Sequence, residues 1–200
     1  MDRRTFIVAA TATLASTFFH GSQAFAKGQI VQLPDPVTTG GKPLMDCLAK
    51  RHTDRSLKGG AITMGHLSTL LWSAWGINRS DGRHVVPTAH NKQQLQLYAV
   101  LGDGVWLYEP KTNSIVKVLD DDQRSRFDGA SVILLYAAPI DDMFAGMHVG
   151  SMYQNVGLYC AANGVPNCVK HTNHGVLDTS LPLPKGWRVY ISHSLGEYPH

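Results

Sequence analysis

The sequence predicts an α+β protein of three layers, a sheet between helices, and three observations carry that prediction. The stretches "QLQLYAV", "GVWLYEP" and "SIVKVL" follow one another with the alternation that lays one face of a strand on a core. "SVILLYAAP" is apolar throughout, the mark of a strand buried on both faces and therefore central, with helices on each side. Segments near residues 44–51, 63–76 and 141–163 place apolar residues at helical spacing instead.

Taken in order, the chain opens with Arg3 and Arg4 ahead of a mostly apolar run over residues 6–19, then Ala24-Phe25-Ala26, a small-x-small cleavage pattern. This layout predicts a signal peptide over residues 1–26 and an exported, periplasmic protein. A membrane span needs about 20 continuous apolar residues, and this run is shorter and broken by hydroxyls and His20. No stable membrane insertion is expected after the signal is removed. The stretch Arg3-Arg4-Thr5-Phe6-Ile7 resembles the twin-arginine address, which serves proteins that fold before export, although Asp2 replaces the usual hydroxyl residue. An ordinary secretory signal carrying two arginines is the other reading.

Residues 27–43, rich in proline and glycine, read as a surface arm without periodicity, and residues 44–200 as the single folded domain. "PLMDCLAKR" puts Leu44, Met45 and Leu48 on a short helix. In "TMGHLSTLLWSAWGI", Thr63 caps a helix whose stripe runs Met64, Leu67, Leu70, Leu71, Trp75 and stops at Gly76. The three alternating strands form a meander, "SVILLYAAP" is the central strand, and residues 141–163 are the long helix before Gly164 and Pro166. Its Met147, Met152, Val156 and Tyr159 are expected to continue into a partner's surface. "GWRVYISHSL" closes the chain as a strand.

The net charge of +3 excludes bulk nucleic-acid binding but leaves room for a small anion. Three cysteines without CxxC spacing give no zinc site, and ten histidines show no metal-ligand spacing, so no metal is expected. Cys160 and Cys168 flank "AANGVPN", which suits a disulfide in an oxidising compartment and equally two buried thiols.

Three segments can carry chemistry. In "RHTDR", Arg51 and Arg55 with Thr53 between them can hold a phosphate, or form a solvated basic helix end. In "GRHVVPTAHNKQQLQLYAV" a polar loop runs straight into a strand, suited to a polar ring or to a plain turn. In "MYQNVGLYCAANG", Gln154 and Asn155 interrupt an apolar helix face.

In this order the three segments resemble the nitroreductase family of flavin mononucleotide (FMN) enzymes. "RHTDR" is similar to the family's basic-basic-Ser-x-basic phosphate signature, with Thr53 for serine. "PTAHNKQQ" is similar to its P-S-S-x-N-x-Q loop, with Thr88 and Ala89 for the serines, and "LLWSAWGI" resembles the branch that includes azoline-forming oxidases. The resemblance implies a three-layer α/β/α sandwich with a central mixed, mostly antiparallel sheet, and a homodimer with flavin at the subunit interface. Cofactor binding is implied for Arg51, His52, Thr53, Arg55, Pro87, Thr88, Ala89, Asn91 and Gln93, with Arg83, Lys170 and His171 facing flavin or substrate. The implied activity is two-electron transfer through flavin N5 between an electron donor and a small organic substrate such as a quinone or nitro compound, with no catalytic protein side chain. The alternatives are a flavin-binding or dimeric interaction protein without turnover, or a dehydrogenase of a peptide or small molecule. The chain ends "LGEYPH" without the family's C-terminal basic pair, so Arg83 or Lys92 is expected to substitute.

Overall fold

The computed structural model describes residues 28–199; the expected signal peptide lies outside the described residues. The elements run β1 (Ile30–Gln32), α1 (Leu44–Lys50), α2 (Met64–Trp75), β2 (Gln96–Leu101), β3 (Gly104–Glu109), β4 (Ser114–Leu119), β5 (Val132–Pro139), α3 (Ala145–Asn163), β6 (Asn167–Lys170) and β7 (Trp187–Leu195).

The seven strands form one sheet in the order β1-β4-β3-β2-β5-β7-β6, antiparallel at every pairing among the described residues. Short turns join β2, β3 and β4, so the predicted meander forms the left half of the sheet. The chain then crosses by α3 to the far edge at β6, and β7 fills the gap beside β5. The segment read as an arm contributes β1, an edge strand too short for a periodic signal, which pairs Ile30, Val31 and Gln32 with β4.

All eight residues of β5 are buried, as its unbroken apolar run requires. Its side chains divide by alternation: Val132, Leu134, Tyr136 and Ala138 face a core shared with α2 and α3, while Ile133, Leu135 and Ala137 face the other side. The second side is covered by Leu177 and Leu181, with Leu57, Phe127 and Leu183 against them. The sequence expectation of helices on both sides is corrected here: among the described residues the second cover is made of turns. Gly175, Pro182, Pro184 and Gly186 explain it: the prolines lack the N–H that a helix needs, and the glycines make helix entropically costly.

The α2 boundaries follow their signals closely. Thr63 Oγ1 accepts the His66 N–H at 3.2 Å, and the helix stops at Gly76. Gly76 has a φ of −68°, so handedness does not demand glycine; a Cβ there would lie 2.2 Å from Trp72 Cδ1, and close approach does. Leu67, Leu70, Leu71 and Trp75 are buried, whereas Met64 at the first turn is exposed.

The long helix starts at Ala145 rather than 141, and Gly164 ends it in the left-handed conformation with a φ of 69°. Its supposed interface stripe is corrected by the structure. Met152 and Val156 are fully buried inside the chain while Met147 is 68% exposed. Five residues at about 100° each turn the helix through about 500°, a separation of roughly 140° around it, so Met147 and Met152 cannot share a face. Cys47, Cys160 and Cys168 are buried free thiols, and burial pushes the Cys160 thiol well above the ordinary range.

Candidate functional site

The "RHTDR" loop begins where α1 ends. Arg51 caps the helix with its N–H on Cys47 O at 2.8 Å and turns extended. Two carbonyl and carboxylate anchors then shape the loop. Asp54 donates its backbone N–H to Asn167 O at 2.9 Å, and its carboxylate accepts both the N–H and the hydroxyl of Ser56. Those bonds, the Ser56 hydroxyl foremost, hold the Asp54 carboxyl below the usual carboxylate range. The Arg51 stem lies against α3 at Gly157, its Cγ and Cδ each 3.6 Å from where a Cβ would stand there. Arg51, Thr53 and Arg55 are exposed, and neither guanidinium has an ion pair among the described residues.

Behind this loop lies a buried polar chain that the sequence reading missed. His193, fully buried, stands between Tyr136 Oη at 3.1 Å and Asn167 Oδ1 at 3.0 Å. Asn167 donates its amide to Val165 O, so its Oδ1 accepts from His193 Nε2–H, and His193 Nδ1 accepts the tyrosine hydroxyl. Burial pushes the His193 pKa down to about 3 and keeps the ring neutral. The signal for it was slight: a histidine and an asparagine at inward strand positions.

Arg55 lines a cleft of about 440 Å³ with Phe127, Lys170, His171, Asn173 and Ser192. Lys170 is held by Asp128, and the rings of His171 and His174 lie 4.1 Å apart. Arg55, Lys170 and His171 are therefore brought together in one cleft. His52 instead borders a different cleft with Lys42, Asp54 and Asn167.

The second polar segment stands elsewhere. Pro87, Thr88, Asn91 and Gln93 line a cleft of about 230 Å³ with Arg79, Arg83 and His84. His84 is stacked on Trp75 at 3.7 Å and bonded to its carbonyl; burial lowers its pKa despite that bond. His90, Asn91 and Gln93 adopt φ of 54°, 53° and 52°. The loop is tied down by Ala89 N–H donating to His148 Nε2 at 2.8 Å, and by Lys92 Nζ on Asp142 Oδ1 at 3.2 Å. Arg83 and Lys92 thus lie with this loop and not beside Arg51 and Arg55.

The two segments meet α3 at different heights. The loop touches His148 and Arg51 touches Gly157, nine residues or about 14 Å along the helix. Asn155, one of the pair flagged in the sequence, donates to Ser73 O and so joins α3 to α2. A larger cleft of about 720 Å³, lined by Ile62, Met64, Leu67, Leu101 and Trp106 among others, contains none of the candidate residues. Among the described residues no group of three or more His, Cys, Asp or Glu side chains could hold a metal, and no helix is long and apolar enough to cross a membrane.

The family model described as "Nitroreductase family" matches residues 48–196, from the last turn of α1 to the end of β7. The chain belongs to the nitroreductase family. Two similar proteins bear the name "putative nitroreductase". One, from Methanocaldococcus jannaschii, is 27% identical over 161 residues, 68% of this chain and 80% of its own. The other, a crystal structure from Ralstonia eutropha, is 25% identical with a TM-score of 0.78, covering 88% of this chain and 92% of that one. A nitroreductase with bound FMN from Bacteroides fragilis shares the fold at 15% identity and a TM-score of 0.55, over 79% and 89% of the two chains. In this nitroreductase-family chain the matched span holds every candidate residue, so both polar segments belong to the part that defines the family.

Proposed function

We propose that this chain is an FMN-dependent oxidoreductase whose flavin lies between two copies of it. The observation that carries this reading is the pair of unspent guanidiniums, Arg51 and Arg55, exposed on a loop that is itself firmly anchored. They and the Thr53 hydroxyl fit a phosphate, since fixed forks bind its oxygens in pairs without moving the backbone. The 440 Å³ cleft beside Arg55, within the ordinary range for small-molecule sites, gives a cofactor room to continue past Lys170 and His171.

The Pro87–Gln93 loop, with Thr88, Ala89, Asn91 and Gln93, stands about 14 Å along α3 from Arg51, and in this proposal the partner supplies it to complete the site. When bound, FMN supplies two-electron transfer through N5 to or from a small organic substrate, a quinone or nitro compound. The chain's residues hold the phosphate, border the ring and exclude water; none is assigned as nucleophile or base. The export reading belongs to the same proposal: replacing Arg3 and Arg4 by lysine is expected to leave precursor in the cytoplasm, and normal export of that variant would end it.

The deciding experiment is purification of the protein followed by spectroscopy. The expected result is a yellow protein with about one flavin per chain, bleached by dithionite and recoloured by menadione or a nitroarene. A colourless protein that takes up no added FMN refutes the cofactor; a bound flavin that menadione and nitroarenes fail to reoxidise refutes the activity.

A further inference from the structure

We infer that His148 and Asp142 are positioning residues that hold the Thr88–Gln93 loop in its flavin-facing conformation; the flavin part of this inference rests on the proposed function. The loop is costly to keep in shape. Three of the four residues 90–93 carry a Cβ at positive φ, a conformation that persists only where the surroundings impose it. The surroundings here are two buried side chains outside the loop. His148, 6% exposed, presents Nε2 to the Ala89 N–H at 2.8 Å. Nε2 accepts that hydrogen, so the proton of the neutral ring sits on Nδ1, which faces Asp142 Oδ2 at 3.6 Å.

Asp142, 8% exposed, ties the rest together. Its Oδ1 accepts the Phe144 N–H and the Lys92 ammonium, both at 3.2 Å. One carboxylate therefore stands beside the histidine that takes Ala89 and also accepts from Lys92, three residues later in the same loop. Thr88 completes the fastening from inside, accepting the Gln93 N–H at 3.2 Å. The histidine meets a backbone amide where a reacting group would stand, so its work is to place the backbone. Neither His148 nor Asp142 lines the cleft formed by Thr88, Asn91 and Gln93, which keeps them apart from any direct contact there.

The test compares His148→Gln, whose amide oxygen can accept from Ala89, with His148→Leu, which cannot. Hydrogen exchange of the peptide covering residues 88–93 is expected to quicken in H148L by about tenfold or more and to stay near wild type in H148Q, since H148L leaves the half-buried Ala89 N–H without its acceptor. FMN affinity is expected to fall by a similar factor in H148L alone. A merely structural role would lower the melting temperature of both variants together without singling out this peptide. Should H148L fail to fold, Asp142→Asn replaces it, with faster exchange at 88–93 expected from loss of the charge facing Lys92 and His148. Wild-type exchange in H148L, or in D142N if it is used, overturns the inference, as does quickening in H148Q equal to that in H148L. If wild-type protein binds no FMN the proposed function fails, and the clamp stands or falls on the exchange measurement.

Discussion

Among single residues, Arg51 and Arg55 carry the largest functional expectation. Among the described residues neither has a carboxylate partner, so the loss of either removes a ligand contact without unpairing a buried charge. Arg51→Ala or Arg55→Ala is expected to weaken FMN binding by about 1.5 to 3 kcal/mol, roughly ten- to a hundredfold, as a flavin fluorescence titration would measure. Unchanged affinity in both variants would remove the phosphate assignment. His193 gives a pH expectation. Its folded pKa, about 3, lies below the ordinary value of 6.5, so between those limits the unfolded chain binds more protons than the folded one. This contribution is complete above about pH 6.5 and is lost as pH falls toward 3. Urea unfolding from pH 7 to 4 should show the loss, and His193→Gln should flatten it, provided the variant folds. Asn167, Tyr136 and His193 were not legible as a unit, because strand pairing alone sets β6 beside β7 and β7 beside β5.

Among the elements, helix α2 was the most legible, since its cap, stripe and stop are local. Thr63→Ala removes the acceptor for the His66 N–H and is expected to cost about 1 kcal/mol in a denaturant midpoint, with Thr63→Ser close to wild type. An equal loss in the serine variant would show that the hydroxyl is not the cause. Helix α3 was legible in extent but not in orientation. Its supposed partner-facing stripe joined Met147 to Met152, Val156 and Tyr159, but only the last three share a face by helical spacing; Met147 is exposed, Met152 and Val156 are buried, and spacing alone does not say which face meets the sheet. The turn-built cover over Ile133 and Leu135 was similarly hidden: Leu177 and Leu181 look like loop residues until the sheet beneath them is known.

For the whole molecule, the expectation is assembly. Met143 and Met147 near the start of α3, with Leu44 and Met45 on α1, are exposed apolar side chains at 84%, 68%, 61% and 72%. In the proposed dimer these replace the buried stripe as contact candidates, and Met147→Asp with Met45→Asp is expected to shift the flavin-loaded protein toward monomer in light scattering at micromolar concentration. A wild-type protein that is monomeric with full flavin would contradict the two-subunit site.

The sequence by itself determined the strands of the meander, the central strand, α2, and the two polar segments, because each is written in a period of two or 3.6 or in a short local pattern. It also carried the family, through the order of motifs between residues 51 and 164, inside the span 48–196 that the family model matches. Only the tertiary structure decided that Arg55, Lys170 and His171 share a cleft, that Ala89 is fastened by a histidine 59 residues away, and that the two polar segments meet α3 at separate heights. Those relations come from antiparallel pairing and helix-on-sheet packing between distant stretches. A local pattern fixes which face of a segment is apolar; the register and partner of that face are set by contacts that the segment does not itself contain.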